Sequence, residues 1–362
     1  MIQKAILDIY QSEHDDNIVC CAPTGRAARR MEESTGFSAS TVHKALGLYT
    51  GEDGSFGADE KLSADLVIAD ESSMLDIYVA GSLFQSLKEE CRLVIVGDAD
   101  QLPSVGPGAV LSELIASGCI PVVKLDRVFR QKEGSRIAEN AKRIRHGETK
   151  LDYGEDFQFI PSNDLDESAK IIEKLYLKEA AECGIDQVSL LSPYRQKTKT
   201  GVNALNERIR DVVNPAGKKK EEFTCGKMIF RNGDKVMQTR NQDDVSNGDI
   251  GYIKKIRKDG SDVEVQIDFG DGRVKDYDAS RMERLDLGYA STIHKSQGSE
   301  YQTVIINLQS AHYIMLNRPL LYTAVTRGKK KVIIVGEKRA LCIAVKKTET
   351  EKRGTNLAVR IR

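Results

Sequence analysis

The chain has 362 residues, with 54 Lys or Arg balanced by 54 Asp or Glu, so overall basicity points to no nucleic-acid partner and any such contact must be local. Its length allows two or three domains with their own cores, and 40% hydrophobic against 30% charged residues reads as soluble and globular. Seven scattered cysteines without C-x-x-C spacing exclude a zinc or dithiol motif, and the absence of a membrane-length apolar run or a signal segment makes a cytoplasmic, membrane-free location the expectation.

MIQKAILDIY places Ile2, Ala5, Ile6 and Ile9 on one helical face, so the chain opens in a helix. Short β-branched runs follow, each ending in small or acidic residues: NIVCCAPT (17–24), DLVIADES (65–72), RLVIVGDAD (92–100) and PVVKLDRVF (121–129). Continuous apolar runs separated by helical stretches predict buried strands of a parallel sheet and an α/β class. The Gly-rich segment 46–62, with Tyr49 and Phe56, is either an exposed loop or a short protruding hairpin. Helical periodicity covers 135–147 and 166–184, each closing on a glycine. QVSLLSPYR (187–195) starts a second α/β set that resumes at YQTVIINL (301–308) and KVIIVG (331–336). Between them, Val263, Val265, Ile267 and Phe269 alternate, and Asn247-Gly248, Asp259-Gly260 and Asp271-Gly272 mark turns, which predicts a small inserted antiparallel module. The last dozen residues read as a loosely held tail.

VIADESSM (67–74) ends a strand in Asp70 and Glu71, where the first carboxylate can hold magnesium and the second can polarise a water. Such a pair also caps ordinary helices, but a second strand, LVIVGDADQLPSVGPG (93–108), brings Asp98 and Gln101 to the same sheet edge. CAPTGRAARRM (21–31) sets Pro23, Thr24 and Gly25 before a helix carrying Arg26, a place for a phosphate of nucleotide or nucleic acid. Arg130 follows one strand and Arg327 precedes another, a pair suited to stabilising charge on a leaving phosphate; either alone would read as a surface ion pair. STIHKSQGSEY (291–301) gathers hydroxyls, an imidazole, an amine and an amide. His294 lacks partners at metal-ligand spacing, so phosphate or base contact is its better reading.

Taken in order, these segments resemble the superfamily 1 DNA helicases, most closely the RecD-like branch. APTGRAARRM is similar to motif Ia, STVHKALG (40–47) to the DNA-contact segment after it, VIADESSM to motif II and GDADQLPSVGPG to motif III. VFRQ resembles motif IV, GYASTIHKSQGSEYQTVII motif V, and LYTAVTRGKKK motif VI. The resemblance implies two RecA-like P-loop NTPase domains, parallel sheets with flanking helices, and an SH3-like β insertion in the second. The corresponding divisions are 1–147, 148–225 with 285–350, an insertion at 226–284 and a tail at 351–362. It further implies an ATP-dependent 5′-to-3′ motor on single-stranded DNA and duplex junctions, serving recombination or repair, with other subunits of a recombination nuclease as further partners. Asp70 would serve magnesium, Glu71 the attacking water, Gln101 the γ-phosphate, and Arg130 and Arg327 the transition-state charge; Asp98, Gly298 and Glu300 would meet the nucleotide. Pro23, Thr24, Gly25, Arg26, His43, Tyr194, Arg195, Thr292, His294 and Lys295 would track DNA. The 46–62 segment is similar to a short strand-separating pin.

One departure matters. The family's phosphate loop, G-x-x-x-x-G-K-[ST], occurs nowhere in the chain: Gly217-Lys218, Gly226-Lys227 and Gly328-Lys329 are each followed by Lys or Met. In the family that loop leads into the helix that MIQKAILDIY resembles, so the expectation is a chain that starts just after its own loop. Losing even one preorganised donor commonly removes ~3 kcal/mol of transition-state stabilisation, so negligible ATP hydrolysis by this chain alone is expected. The alternatives are a DNA-binding module that has abandoned the motor and a phosphate-binding signalling ATPase without DNA.

Overall fold

Four short strands, all running the same way, form the first sheet: β1 (Ile18–Ala22), β2 (Ala39–Thr41), β5 (Leu66–Ala69) and β6 (Arg92–Ile95), in the order β2-β1-β5-β6. Every residue of β5 is buried, which is why its sequence shows an unbroken apolar run rather than alternation. Flanking helices are α1 (Ile2–Glu13), α2 (Gly25–Thr35), a single turn α3 (Val42–Ala45), α4 (Ile77–Ser86) and α5 (Val110–Ser117). Within the 46–62 segment, β3 (Tyr49–Thr50) and β4 (Phe56–Gly57) pair antiparallel, so its ends make a short hairpin. The computed structural model describes residues 2–13, 17–50, 56–57, 61–125, 134–196, 198–218, 220–260, 262–348 and 355–361.

The chain divides into two compact units, Met1–Asp126 with Glu349–Arg362, and Arg127–Thr348. The division thus falls ahead of α6 (Arg136–Arg145) and not at residue 147, and the tail groups with the first unit. Tail residues 355–361 are docked rather than loose. Thr355 Oγ1 bonds Glu113 on α5, Ala358 N donates to Glu113 Oε2 at 3.2 Å, and Leu357 packs on the first unit's core. The run 121–125 forms no strand, and Val123 is 86% exposed. It has no pairing partner among the described residues, where β6 bonds only β5; the rest of that run, 126–129, lies outside them.

The second unit is built on a five-stranded parallel sheet, β16-β8-β17-β18-β7, from β7 (Phe157–Pro161), β8 (Val188–Ser192), β16 (Ala290–Thr292), β17 (Tyr301–Leu308) and β18 (Gly328–Gly336). Helices α7 (Leu165–Cys183), α8 (Val202–Val213), α10 (Arg318–Thr326) and α11 (Lys338–Lys346) accompany it. Between α8 and β16 lies the inserted module. A hairpin, β9 (Glu222–Cys225) with β10 (Met228–Arg231), precedes an antiparallel sheet β14-β13-β12-β11-β15. Its strands are β11 (Lys235–Gln238), β12 (Ile250–Asp259), β13 (Asp262–Asp268), β14 (Val274–Tyr277) and β15 (Leu285–Leu287), with the turn α9 (Ala279–Met282) before the last. The turn before β14 puts both Asp271 and Gly272 at positive φ, as an Asp-Gly hairpin turn requires.

The module is not a separate bead on the second unit. Val236, Ile253, Val265 and Ile267 of the module share one core with Ile172 and Tyr176 of α7 and Val188 and Leu190 of β8. Asn206 of α8 stitches the return into the parallel sheet: its Oδ1 accepts from Tyr289 N at 2.9 Å and Ala290 N at 2.7 Å, and its Nδ2 donates to Ala290 O at 3.1 Å. Asn206→Ala strands these buried main-chain groups, so we expect the second unit to lose about 2–4 kcal/mol in urea unfolding, while an exposed change such as Arg257→Ala stays within about 0.5 kcal/mol.

Candidate nucleotide and nucleic-acid sites

In the first unit the parallel register brings three strand ends into line. Asp70 N donates to Cys21 O at 2.9 Å, Val96 N to Ala69 O at 2.8 Å, and Ser72 N to Val96 O at 2.9 Å, so the turns after β1, β5 and β6 are zipped together. Gly97 makes that closeness possible: a Cβ there would meet Leu111 Cδ2 at 2.8 Å and the amide nitrogens of Ser72 and Ser73 at 3.1 Å. At the turn Glu71 takes φ 47° and ψ 37°, a left-handed conformation unusual for a residue with a side chain. Asp70 Oδ1 accepts from Glu71 N at 2.8 Å, while Asp70 Oδ2 makes no hydrogen bond among the described residues. A half-buried carboxylate with one oxygen fixed and the other open suits a hard cation such as magnesium.

Asp98 lies in the turn after β6. Its Oδ1 accepts from Asp100 N at 3.0 Å and its Oδ2 from Gln101 Nε2 at 3.3 Å, while its carbonyl accepts from Gln101 N at 3.2 Å. The carboxylate thus orients Gln101, which is itself buried. Thr24 caps α2, its Oγ1 accepting from Ala27 N at 3.2 Å, and Pro23, Gly25 and Arg26 stand half-buried around that helix start. His43 is exposed on the turn α3, held by the Thr41 cap. Arg130 lies outside the described residues.

In the second unit the sequence candidates separate to two ends of one sheet. Tyr194, Arg195, Thr292, His294 and Lys295 follow the carboxyl ends of β8 and β16, which are in register at Ser192 and Thr292. Arg195 Nη2 donates to Asp286 Oδ1 at 2.6 Å and Oδ2 at 2.8 Å, and Lys295 Nζ reaches Asp286 Oδ2 at 3.3 Å. The Tyr194 ring stands edge-on to His312, with centroids 5.4 Å apart. Gly298, Glu300 and Arg327 instead sit at the opposite edge, where β17 and β18 begin. Gly298 has φ 71°, and the Glu300 side chain, only 6% exposed, pairs with Lys329 Nζ at 3.1 Å. Arg327 is fully buried: its Nε donates to Thr323 O and its Nη1 to Ser299 O, both at 3.2 Å. In this conformation its guanidinium braces the segment carrying Glu300.

Three neighbours of the candidate residues escaped the sequence reading. Asp286 sits in an L-D-L strand with no motif around it, Lys329 is one of three consecutive lysines, and His312 follows β17 with no chemical partner nearby in sequence. No group of His, Cys, Asp and Glu able to hold a metal by itself occurs among the described residues. Asp70 would therefore share magnesium with phosphate and water rather than enclose it.

Three family models match successive parts of the chain. Residues 1–164 match a model described as an AAA domain, residues 205–269 one for the SH3 domain of ATP-dependent RecD-like DNA helicases, and residues 287–335 one for the UvrD-like helicase C-terminal domain. An ATP-dependent RecD2 DNA helicase of Deinococcus radiodurans is 36% identical over 361 residues, 99% of this chain and 48% of that protein. The chain belongs to the RecD-like helicase family. The RecBCD subunit RecD of Mycolicibacterium smegmatis is 29% identical over 95% of the chain and 66% of its own length. The chain thus spans about half to two thirds of these RecD-like relatives. Among solved structures, Pif1 helicase from Bacteroides in complex with ADP-AlF3 and ssDNA superposes at a TM-score of 0.55, with 16% identity over 92% of this chain and 85% of that one. Pif1 from Candida albicans gives 0.53 at 16% identity, over 99% and 90%. These likenesses establish the fold, two RecA-like domains with an SH3-like module.

Two outcomes test the RecD-like site geometry. Glu71→Gly relieves the left-handed strain, so thermal unfolding should show stability unchanged or raised by up to about 1 kcal/mol although the carboxylate is gone. Buried His312, with neither ring nitrogen hydrogen-bonded among the described residues, is held neutral, its pKa pushed down by burial from 6.5 to about 4. The unfolded chain binds that proton more readily, so the stability is full above pH 6.5 and is lost as the pH falls toward 4, by roughly 3 kcal/mol. His312→Phe should flatten that part of the pH dependence in urea unfolding between pH 7 and 4.5.

Proposed function

We propose that the chain is the motor portion of an ATP-dependent 5′-to-3′ DNA helicase that tracks single-stranded DNA and opens duplex junctions in recombination or repair. The observation that carries this reading is the Asp70–Glu71 turn: an open carboxylate oxygen, a strained acid and a buried, Asp98-oriented Gln101 at one parallel sheet edge. DNA binding alone has no use for that combination. ATP with magnesium, when bound, supplies the phosphoanhydride whose hydrolysis drives movement. Asp70 would hold the cation, Glu71 would orient and polarise water, and Gln101 would donate to the terminal phosphate. Glu300, fixed by Lys329 and by the backbone that Arg327 braces, would accept from a ribose hydroxyl, and Arg130 and Arg327 would answer phosphate charge. Pro23, Thr24, Gly25, Arg26, His43, Tyr194, Arg195, Thr292, His294 and Lys295 would line the DNA path. Other subunits of a recombination nuclease are the partners this reading favours; the mycobacterial relative bears the name of such a subunit.

The second reading, a single-stranded-DNA-binding module without a motor, is favoured by one fact, that no G-x-x-x-x-G-K-[ST] occurs in the 362 residues. Without those amides and that lysine, the chain by itself should hydrolyse ATP negligibly. A DNA-stimulated rate like that of an ordinary helicase, abolished by Glu71→Gln, would overturn this expectation. Placing a strand and a G-x-x-x-x-G-K-[ST] loop directly ahead of α1 should confer DNA-stimulated hydrolysis that Glu71→Gln removes; a chimera that binds DNA yet stays inert speaks for the second reading. Both require salt-sensitive binding of labelled single-stranded DNA, and no binding even at low salt would sink both.

A further inference from the structure

Two cations that the proposed DNA path includes, Arg195 and Lys295, share one internal carboxylate. Asp286 belongs to β15 of the SH3-like module, where Met237 of β11 is its strand partner. Its carboxylate, only 13% exposed, leaves the module and takes both Arg195 Nη2 and Lys295 Nζ, groups that follow two different strands of the RecA-like sheet. The Arg195 side chain is 51% exposed, and among the described residues its guanidinium bonds nothing but Asp286. Arg195 and Asp286 also line an open groove of about 350 Å³ together with Phe230 and Met282, so an anion from solvent can reach the pair. A carboxylate accepting from a guanidinium and an ammonium uses the same donors, at the same kind of distance, that a phosphate would use.

We propose that Asp286 is a positioning residue that competes with DNA phosphate for Arg195 and Lys295, so that the SH3-like module sets how tightly the RecA-like sheet grips single-stranded DNA. The inference rests on the reading that these two cations contact DNA. With Asp286 in place, the two cations present one net positive charge. A phosphate must displace the carboxylate from at least one of them, which keeps each contact weak and readily reversed. A motor that steps needs contacts of that kind, released and remade at each advance.

The test is binding of fluorescently labelled oligothymidylate to the full 362-residue chain across a potassium chloride series. Arg195→Gln and Lys295→Gln should each weaken binding and flatten its salt dependence. Asp286→Asn, of nearly the same size, should tighten binding roughly three- to fivefold, the scale of one partly exposed ion pair. It should also steepen the slope of log affinity on log salt by about 0.7, the value for one further phosphate neutralised on a single strand. Most of the gain should vanish in the Arg195→Gln, Asp286→Asn double variant. Thermal unfolding identifies a variant that has lost its fold, and Asp286→Ser then serves in its place. Unchanged or weaker binding with an unchanged salt slope, in a folded variant, would overturn the proposal, because a carboxylate that only braces the cations gives that result. If the unmodified chain binds no DNA, or if Arg195→Gln and Lys295→Gln bind as tightly as it does, the DNA-path reading itself fails, and the proposal with it.

Discussion

Parallel pairing of β1, β5 and β6 is the constraint from which the placement of the first unit's candidate residues follows. Strands that run the same way end at the same edge, and there the main-chain bonds from Asp70 to Cys21 and from Ser72 to Val96 hold three turns within reach of one another. Glu71 keeps its left-handed backbone because the amides on both sides of it are committed, Asp70's to β1 and Ser72's to the end of β6. Replacing Gly97 with any larger residue would push Leu111 and the Ser72–Ser73 amides apart, and the acid turn with them.

The second unit solves a different problem, because its candidates come from segments far apart in sequence. Asn206 ties the start of β16 to α8, Asp286 ties β15 to the residues after β8 and β16, and Lys329 with Arg327 ties the start of β18 to the start of β17. Each tie has a buried or nearly buried polar group with its bonds satisfied, where an unpaired group would be destabilising. The SH3-like module is therefore part of the architecture around the second sheet's carboxyl edge, and its shared core with α7 and β8 fixes it there.

Much of this was legible in the sequence because burial writes itself plainly into parallel strands. DLVIADES, RLVIVGDAD and YQTVIINL are apolar on both faces and became β5, β6 and β17. The same rule misled at PVVKLDRVF, whose described residues carry three exposed apolar side chains, Val122, Val123 and Leu125, and no strand. β2 and β16 escaped notice because three residues are too few for any period to register. The polar site split along similar lines. Acids at strand ends announce themselves, whereas the bidentate partner of Asp286, Arg195, lies 91 residues away, a pairing that no local pattern encodes.

The docked tail alters how the chain is partitioned. Thr355, Leu357 and Ala358 rest on α5 and the first unit's core, although the intervening chain from 127 to 348 builds the second unit. The first unit is thus the discontinuous one, and the second is in topological terms a continuous insertion within it. Cutting after residue 126 would yield a fragment with the face of α5 stripped and Glu113 deprived of its capped helical turn. Excision of 127–348 removes a contiguous piece whose own sheet, helices and β module are all encoded between the two cuts. The natural dissection of this molecule is therefore from the middle outward, with both ends of the described chain kept in the same piece.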